Sequence, residues 1–143
     1  MSELDLPDVN VLVALLHPGH VCHRSAGQWF AGTGRFATTP LTETGFLRAA
    51  LNPQVAGEAI SAASALAALR SVKADPRAEF LADASSLAEA SPGRTIGLVG
   101  HKQVTDLHLV NLAAAARARL VTFDRRIRPV LIPDDQERVV VLS

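Results

Sequence analysis

The amino-acid sequence predicts an α/β sandwich built on a largely parallel sheet of short strands. Short apolar segments with strand character alternate along the chain with segments of helical character, and this alternation is typical of parallel sheets. The chain has 143 residues, of which 48% are hydrophobic and 20% are charged, as expected of a globular protein. This length fits a single domain spanning residues 1–143, with room for a sizeable core.

The first half of the chain is predicted to alternate between strands and helices and to end in two helices. Pro18-Gly19 ends the first helix, Thr39-Pro40 provides a cap and a first-turn proline for the third, and Asn52-Pro53 ends that helix. A short loop then leads into an alanine-rich helix, which predicts an antiparallel hairpin of two helices. The predicted segments are a strand at 4–8, helices at 9–16 and 21–31, a strand at 35–38, and helices at 40–51 and 56–72.

The second half of the chain is predicted to hold one strong helix between short strands. The proline and glycines of segment 91–102 predict a loop, and the apolar periodicity after it predicts the helix. The predicted segments are a strand at 79–82, a helical segment at 84–89, the loop, the helix at 104–118, and strands at 120–123 and 139–142.

Charge and cysteine content limit the classes of function. The formal net charge is zero, with 14 basic and 14 acidic residues, so any binding of nucleic acid must use locally placed basic residues or a partner. Cys22 is the only cysteine, which excludes an intrachain disulfide and is compatible with a reducing compartment. The apolar run 9–16 is too short to cross a membrane and follows acidic residues, unlike a signal peptide, so we expect a cytoplasmic protein without membrane contact.

Two acidic residues follow predicted strands. Asp8 ends the first strand and leads directly into an apolar helix, and Asp124 comes directly after the strand at 120–123. Because ligands of parallel α/β folds bind at the carboxyl ends of the strands, both carboxylates are candidate site residues.

Two further acids, Glu43 and Asp106, lie on predicted helices beside apolar residues. The positions three, four and seven residues after each of them are apolar, so each acid lies on or next to the face that packs on the core. A buried carboxylate is costly unless its charge is compensated, and several such acids close together would repel each other. A bound divalent cation removes this cost, and Mg²⁺ and Mn²⁺ prefer oxygen ligands.

Each of these acids also has an ordinary structural explanation. Glu43 and Asp106 could be first-turn acids that the helix dipole favours, and Asp124 could be a turn residue. The combination of four acids, rather than any one of them, favours a metal site.

Four segments of the chain, in order, resemble the motifs of the PIN domain and more closely those of the VapC toxins of type II toxin–antitoxin pairs. The similarity extends along nearly the whole chain, and the chain length also suits this family. The segments are Asp8-Val9-Asn10-Val11-Leu12, Thr42-Glu43, Val104-Thr105-Asp106-Leu107-His108-Leu109 and Thr122-Phe123-Asp124-Arg125.

The resemblance implies a PIN-like three-layer α/β/α sandwich that binds one or two Mg²⁺ or Mn²⁺ ions and cleaves RNA endonucleolytically. Asp8, Glu43 and Asp106 match the three main acids of the family, and Asp124 matches a more variable fourth, so all four are predicted to be catalytic and to bind metal. Hydrolysis would use water activated by the ion and leave a 5′-phosphate.

The resemblance also implies supporting residues and partners. Asn10, Thr105 and Thr122 match flanking polar positions that orient the ligands or the waters of the metal. The expected partners are an RNA substrate, a cognate VapB-like antitoxin and a second copy of the chain. The homodimer is expected to use the pair of helices between residues 40 and 72.

Basic residues near the acids are candidate phosphate ligands. Lys102 and Arg125 stand close in sequence to Asp106 and Asp124, and we expect them to contact the substrate. The other arginines of the stretch from 117 to 128 are expected to lie on a solvated surface.

Other chemistries remain as alternatives. His17, His20, His23 and Cys22 invite a zinc site, but structural zinc sites usually show a second pair of ligands. A phosphoacceptor site at Asp5 and Asp8 lacks a clear central-strand acceptor, and a dehalogenase-type nucleophile at Asp8 needs an aspartate where Asn10 stands. A non-catalytic PIN-like module that binds an antitoxin or RNA is the remaining alternative, although four intact acids count against it.

Overall fold

Five short strands form one sheet with the order β3-β2-β1-β4-β5, and all four pairings of neighbouring strands are parallel. This computed structural model describes residues 3–143. It confirms the predicted α/β class and parallel sheet. The strands are Leu4–Pro7 (β1), Arg35–Thr38 (β2), Ala78–Phe80 (β3), Ala118–Thr122 (β4) and Val139–Val141 (β5).

Helices cover the sheet on both faces, as in a three-layer sandwich. The α-helices are Val9–Leu16 (α1), His23–Gly32 (α2), Pro40–Ala50 (α3), Pro53–Ala56 (α4), Ala62–Lys73 (α5), Pro92–Thr95 (α6), Val104–Ala116 (α7) and Pro133–Gln136 (α8). Three short 3₁₀ helices cover Leu87–Glu89, His101–Gln103 and Arg128–Val130. No helix within residues 3–143 has both the length and the apolar character needed to cross a membrane.

Alternating side chains of the central strands pack on opposite faces, as the geometry of a strand requires. Leu6 and Leu120 are fully buried in a cluster with α7, whereas Val121 packs in another cluster with α1 and α2. Pro7, an awkward residue for a central strand, is the last residue of β1, and the next backbone N–H, that of Asp8, donates to Val121 O at 2.8 Å. The end of β1 therefore stays attached to β4.

The two helices predicted between residues 40 and 72 do pack together. Phe46 and Ala50 of α3 share a buried cluster with Ala65 and Leu69 of α5 and with residues of α1. The second helix is shorter than the predicted 56–72, because Gly57 has a φ of 80° and ends the separate helix α4. Ser61 then caps α5 by accepting a hydrogen bond from Ser64 N–H at 3.1 Å.

The helix predicted at 104–118 ends two residues early. Arg117 takes the left-handed conformation, with a φ of 54°, and its N–H closes the helix, so Ala118 already belongs to β4. Glycine usually fills such a position, and its absence removed the sequence signal for the helix end.

Other boundaries also differ from the prediction. The predicted loop 91–102 contains α6 and a 3₁₀ turn, and α8 was not predicted. Both short helices are held by a tertiary ion pair, because Arg94 of α6 donates to both carboxylate oxygens of the fully buried Asp135 of α8, at 2.9 and 3.1 Å. Two further helices lie at 23–32 and 40–50 in place of 21–31 and 40–51, and a 3₁₀ turn at 87–89 replaces the helix predicted at 84–89. The strands lie at 4–7, 78–80, 118–122 and 139–141 in place of 4–8, 79–82, 120–123 and 139–142.

Candidate active site

Asp8 lies at the carboxyl end of the central strand β1, where it also caps α1. Its side chain is buried, with 7% of the residue exposed. Val9 N–H donates to Oδ1 at 2.7 Å and the Thr122 hydroxyl donates to Oδ2 at 2.9 Å. Burial raises the pKa of Asp8, the two hydrogen bonds lower it, and the charge of Asp124 adds to the rise, so the pKa is raised on balance.

Thr122 and Asn10 form the support for Asp8. The Thr122 hydroxyl oxygen, fully buried at the end of β4, accepts hydrogen bonds from the Asn10 side-chain amide and from Asp124 N–H, both at 3.1 Å. The Asn10 side-chain oxygen in turn accepts from Phe123 N–H at 3.2 Å. This network joins the carboxyl ends of β1 and β4, as expected for residues that orient a ligand.

Asp106 comes from α7 and is electrostatically coupled to the strand-end acids. Burial raises its pKa from 3.8 to about 6, and the negative charges of Asp8 and Asp124 contribute to the rise, against a smaller lowering by Arg126. The structure therefore brings together three of the four predicted acids, although they are up to 116 positions apart in the sequence.

Asp124 differs from the other two aspartates because it has a cation partner. Arg126 donates to Oδ1 through its backbone N–H at 2.9 Å and through Nε at 3.0 Å, and its Nη2 donates to Oδ2 at 3.2 Å. The side chain of Arg126 is 88% exposed. These hydrogen bonds lower the pKa of Asp124.

Glu43, the fourth predicted acid, has a different environment. Its Oε2 accepts a hydrogen bond from the buried Thr38 hydroxyl at 2.6 Å and pairs with Lys73 Nζ at 2.6 Å. Thr38 ends β2, the strand next to β1, so Glu43 lies along the same edge of the sheet as Asp8. Lys73, at the end of α5, compensates the charge of Glu43 from within the chain.

The predicted substrate ligands lie at the surface beside the aspartates. Lys102 is exposed and lines one pocket together with Asp106, Asp124 and Arg126. Arg125 is exposed next to Asp124, and Thr105 is exposed next to Asp106. Their positions leave Lys102 and Arg125 accessible to a ligand at the acids.

The histidine-rich segment between α1 and α2 is engaged in local hydrogen bonds. His20 Nδ1 accepts from Cys22 N–H at 3.0 Å, and His23 Nδ1 lies 2.8 Å from Ala14 O. Nowhere in residues 3–143 do three or more His, Cys, Asp or Glu side chains meet in a ready-made metal geometry. His20 and His23 thus take part in hydrogen bonds within the turn and to the preceding helix.

The donor set at the aspartates nevertheless fits Mg²⁺ or Mn²⁺. All its candidate ligands are carboxylate oxygens, and burial together with the charges of Asp8 and Asp124 raises the pKa of Asp106, a cost that a bound cation would relieve. Mg²⁺ usually keeps several waters and is held through one or two carboxylates together with substrate phosphates. Asp8 and Asp106, with Asp124, would hold such an ion without a complete cage of protein ligands.

Comparison with known proteins decides the family. The model of the PIN domain matches residues 6–130, which include all four predicted acids. The chain belongs to the PIN domain family. Its fold is that of a PIN domain, as the motifs predicted.

Relatives of this PIN domain include several proteins of Mycobacterium tuberculosis. The chain is 43% identical to ribonuclease VapC38 over 121 residues, covering 83% of this chain and 84% of the relative. It is 40% identical to ribonuclease VapC39 over 121 residues, covering 83% and 87%. These values confirm the more specific resemblance to VapC proteins.

Solved structures share the fold at low sequence identity. VapC20 of M. tuberculosis, described as a toxin that cleaves the sarcin-ricin loop, superposes with a TM-score of 0.62 at 15% identity, covering 87% of this chain and 93% of the other. A toxin–antitoxin complex from Klebsiella pneumoniae gives a TM-score of 0.57 at 20% identity, covering 96% of each chain. At these identities the likeness supports the fold alone.

Sequence reasoning missed three residues of this PIN domain site. Arg126 was expected on a solvated surface with its neighbours, yet it holds Asp124. Thr38 and Lys73 were not singled out, although they hold Glu43. The sequence could have indicated Thr38, because it ends a predicted strand as Asp8 does. It could not have indicated Lys73, which is 30 positions from Glu43.

Proposed function

We propose that this PIN domain, comprising residues 1–143, is a Mg²⁺- or Mn²⁺-dependent endoribonuclease and a toxin of the VapC type. The observation that carries the proposal is the grouping of three aspartates at the carboxyl edge of the sheet: Asp106 and Asp124 line one pocket, and the Thr122 hydroxyl is hydrogen-bonded to Asp8 and to the backbone of Asp124. The ribonucleases VapC38 and VapC39, at 43% and 40% identity, support cleavage of RNA as the activity.

The chain's own residues contribute to this activity by binding and orientation. Thr122 and the N–H of Val9 fix both oxygens of Asp8, and Asn10 orients Thr122. When bound, the divalent ion lowers the pKa of water and offsets the charge that develops at the scissile phosphate. Asp106, with a pKa of about 6, is mostly ionised at neutral pH and able to bind the ion. Glu43 is the fourth proposed acid of the site.

Exposed cations beside the acids would position the RNA backbone. Lys102 lines the pocket that contains Asp106 and Asp124, and Arg125 follows Asp124 directly. Phosphate contacts of this kind fix the register of the substrate but carry no sequence information.

We further propose a VapB-like antitoxin and a second copy of the chain as partners. Structures similar in fold include a VapBC2 complex of Rickettsia felis and the toxin–antitoxin complex of K. pneumoniae. The homodimer would use the helices between residues 40 and 72, where Leu51 and Val55 are 43% and 53% exposed. Co-purification with the product of a neighbouring reading frame, followed by mass measurement of the complex, tests both partners.

The activity is tested with purified protein freed of any partner, incubated with RNA and Mn²⁺. We expect cleavage that stops in EDTA, and a loss of rate of on the order of 100-fold or more in Asp8→Asn and Asp106→Asn, because several kcal/mol of transition-state stabilisation depend on the ion. Asp134→Asn, an exposed acid on α8 away from the cluster, is the matched control and should cleave normally.

Sequencing of the cut ends would identify the substrate, and ligation that requires a 5′-phosphate would test for this group on the product. Full activity in either aspartate variant would refute the site assignment. No cleavage by the wild type with any divalent ion would favour the non-catalytic module, and a requirement for zinc alone would point back to the histidines.

A further inference from the structure

Phe80 is an aromatic side chain that the fold leaves in solvent. The chain has five phenylalanines, one tryptophan and no tyrosine, all within the described residues, and Phe80 alone among these six rings is exposed, at 51%. It is the last residue of the edge strand β3. A ring at such a position is not required by the core and is available to a ligand.

One face of the Phe80 ring is already covered by a cation that belongs to the candidate site. Lys73 Nζ lies 4.5 Å from the ring centroid and 2.6 Å from Glu43 Oε2. Both distances are measured from Lys73 Nζ. The centroid of the Phe80 ring therefore cannot lie farther from Glu43 Oε2 than these two distances added together. Phe80 is thus part of the same local structure as Glu43.

The strand register places Phe80 near the aspartates as well. Phe80 is paired with Thr38, the residue that donates to Glu43, and β2 is followed by β1 with Asp8 at its end. Neighbouring strands are about 4.8 Å apart, so β3 lies about 10 Å from β1. Three residues after Phe80, Asp83 pairs with His108 of α7, the helix that carries Asp106. A few nucleotides of an extended strand span these separations.

We propose that the open face of the Phe80 ring stacks an unpaired base of the RNA, a few nucleotides from the scissile phosphate. This inference rests on the proposed ribonuclease function and adds a base-binding subsite to it. Aromatic side chains beside a cationic groove are the general means by which proteins hold single-stranded nucleic acid. Arg70 lines a surface pocket together with Lys73 and Glu43, and adds positive charge beside the pair that these two residues form.

A protein partner is the less suitable occupant of this surface. The group over the ring is charged rather than apolar, because Lys73 lies against it and pairs with Glu43. Protein interfaces instead deplete charged residues such as lysine and glutamate at their core. The position beside the candidate catalytic acids also favours the substrate over a partner.

The test measures KM and kcat for cleavage of the single-stranded RNA identified by end sequencing, with Mn²⁺ present. Loss of a stacked base weakens binding by roughly 5- to 100-fold, so Phe80→Ala should raise KM by about this factor and leave kcat nearly unchanged. Phe80→Trp should retain or lower KM, whereas Phe80→Leu should behave like Phe80→Ala. Val21→Ala removes a side chain that is 94% exposed on the turn between α1 and α2, and is the control.

Single abasic substitutions in the RNA identify the stacked base. At one position the abasic substitution should raise KM for the wild type but have no further effect in Phe80→Ala, as a coupled pair requires. Thermal unfolding of each variant shows whether the fold is intact.

Three outcomes would overturn the inference. Equal KM values for wild type and Phe80→Ala would remove the subsite while leaving the ribonuclease function standing. Full rescue by Phe80→Leu would show that Phe80 only packs against Lys73. Absence of cleavage by the wild type would remove the proposed function and this inference together.

Discussion

Two groups of buried or half-buried carboxylates in this PIN domain differ in how their charge is compensated. Asp135 and Glu43 each pair with a cation of the chain, Arg94 and Lys73 respectively. Within residues 3–143 no ion pair joins Asp8 or Asp106 to a lysine or arginine, and the pKa of each is raised by burial and by neighbouring acids. The charge of the first group is therefore balanced within the chain, whereas we propose that the second group binds a cation from solution.

Because of this difference, removing a charge is expected to change the stability of the protein in opposite directions in the two groups. Taking the cation from Asp135 leaves a buried charge without its partner and destabilises the protein. Taking the charge from Asp106 removes the cost of burying it and its repulsion by Asp8 and Asp124, and therefore stabilises the metal-free protein. The same comparison explains why burial alone does not distinguish a structural acid from a catalytic one.

The largest effect on stability is expected from Arg94→Met. Arg94 binds both oxygens of the fully buried Asp135 and also donates to Asn111 Oδ1 at 3.1 Å. Breaking such a pair costs roughly 3–5 kcal/mol of unfolding free energy, and Arg138, whose Nε lies 3.4 Å from Asp135, favours the lower end of this range. Urea unfolding measures the change, with the exposed Arg128→Met as the control. A loss below about 1 kcal/mol would show that the pair contributes little.

A smaller effect of opposite sign is expected from Asp106→Asn without metal. Because the folded pKa of Asp106 is raised from 3.8 to about 6, its contribution to stability is fully present below about pH 4 and is lost as the pH rises through about 6. The asparagine of the variant does not ionise, so the variant does not lose this stability as the pH rises. At pH 7.5 in EDTA the variant should be more stable by on the order of 1–2 kcal/mol, after allowance for solvent screening of this half-buried group.

The pH series provides its own controls. The difference between wild type and Asp106→Asn should vanish at pH 4, where Asp106 is protonated. Asp124→Asn should not stabilise the protein at pH 7.5, because hydrogen bonds from Arg126 lower the pKa of Asp124. Equal stability of wild type and Asp106→Asn across the whole pH range would contradict the raised pKa of Asp106, and with it both the cost of its burial and its repulsion by the neighbouring aspartates.

Local sequence patterns predicted the strand-end acids of this site well. Asp8 and Asp124 follow apolar strand segments, and parallel pairing then places both at one edge of the sheet, as observed. Asp106 was predicted from its apolar helix neighbours, and its coupling to Asp8 agrees with that reasoning. The ligand roles of all four acids remain predictions.

What the sequence did not reveal depends on contacts between distant residues. Lys73 reaches Glu43 across 30 positions and Arg94 reaches Asp135 across 41, so no local pattern marks either pair. Arg94 also explains why the short helix α6 replaced a predicted loop, since its tertiary bonds stabilise a segment with poor helical propensity. The early end of α7 was missed because Arg117 adopts the left-handed conformation that ends the helix. Glycine usually occupies such a position, and an arginine there gives no sequence signal.

The central claim, that the aspartates without a cation of their own bind a divalent ion, is tested most directly by Mn²⁺-dependent unfolding at pH 7.5. Mn²⁺ at about 100 times its dissociation constant should raise the unfolding free energy of the wild type by about 2.7 kcal/mol. Asp106→Asn should lose most of this gain, whereas Asp134→Asn, which changes an exposed acid on α8 away from the cluster, should keep it. A gain in Asp106→Asn equal to that of the wild type would contradict the account.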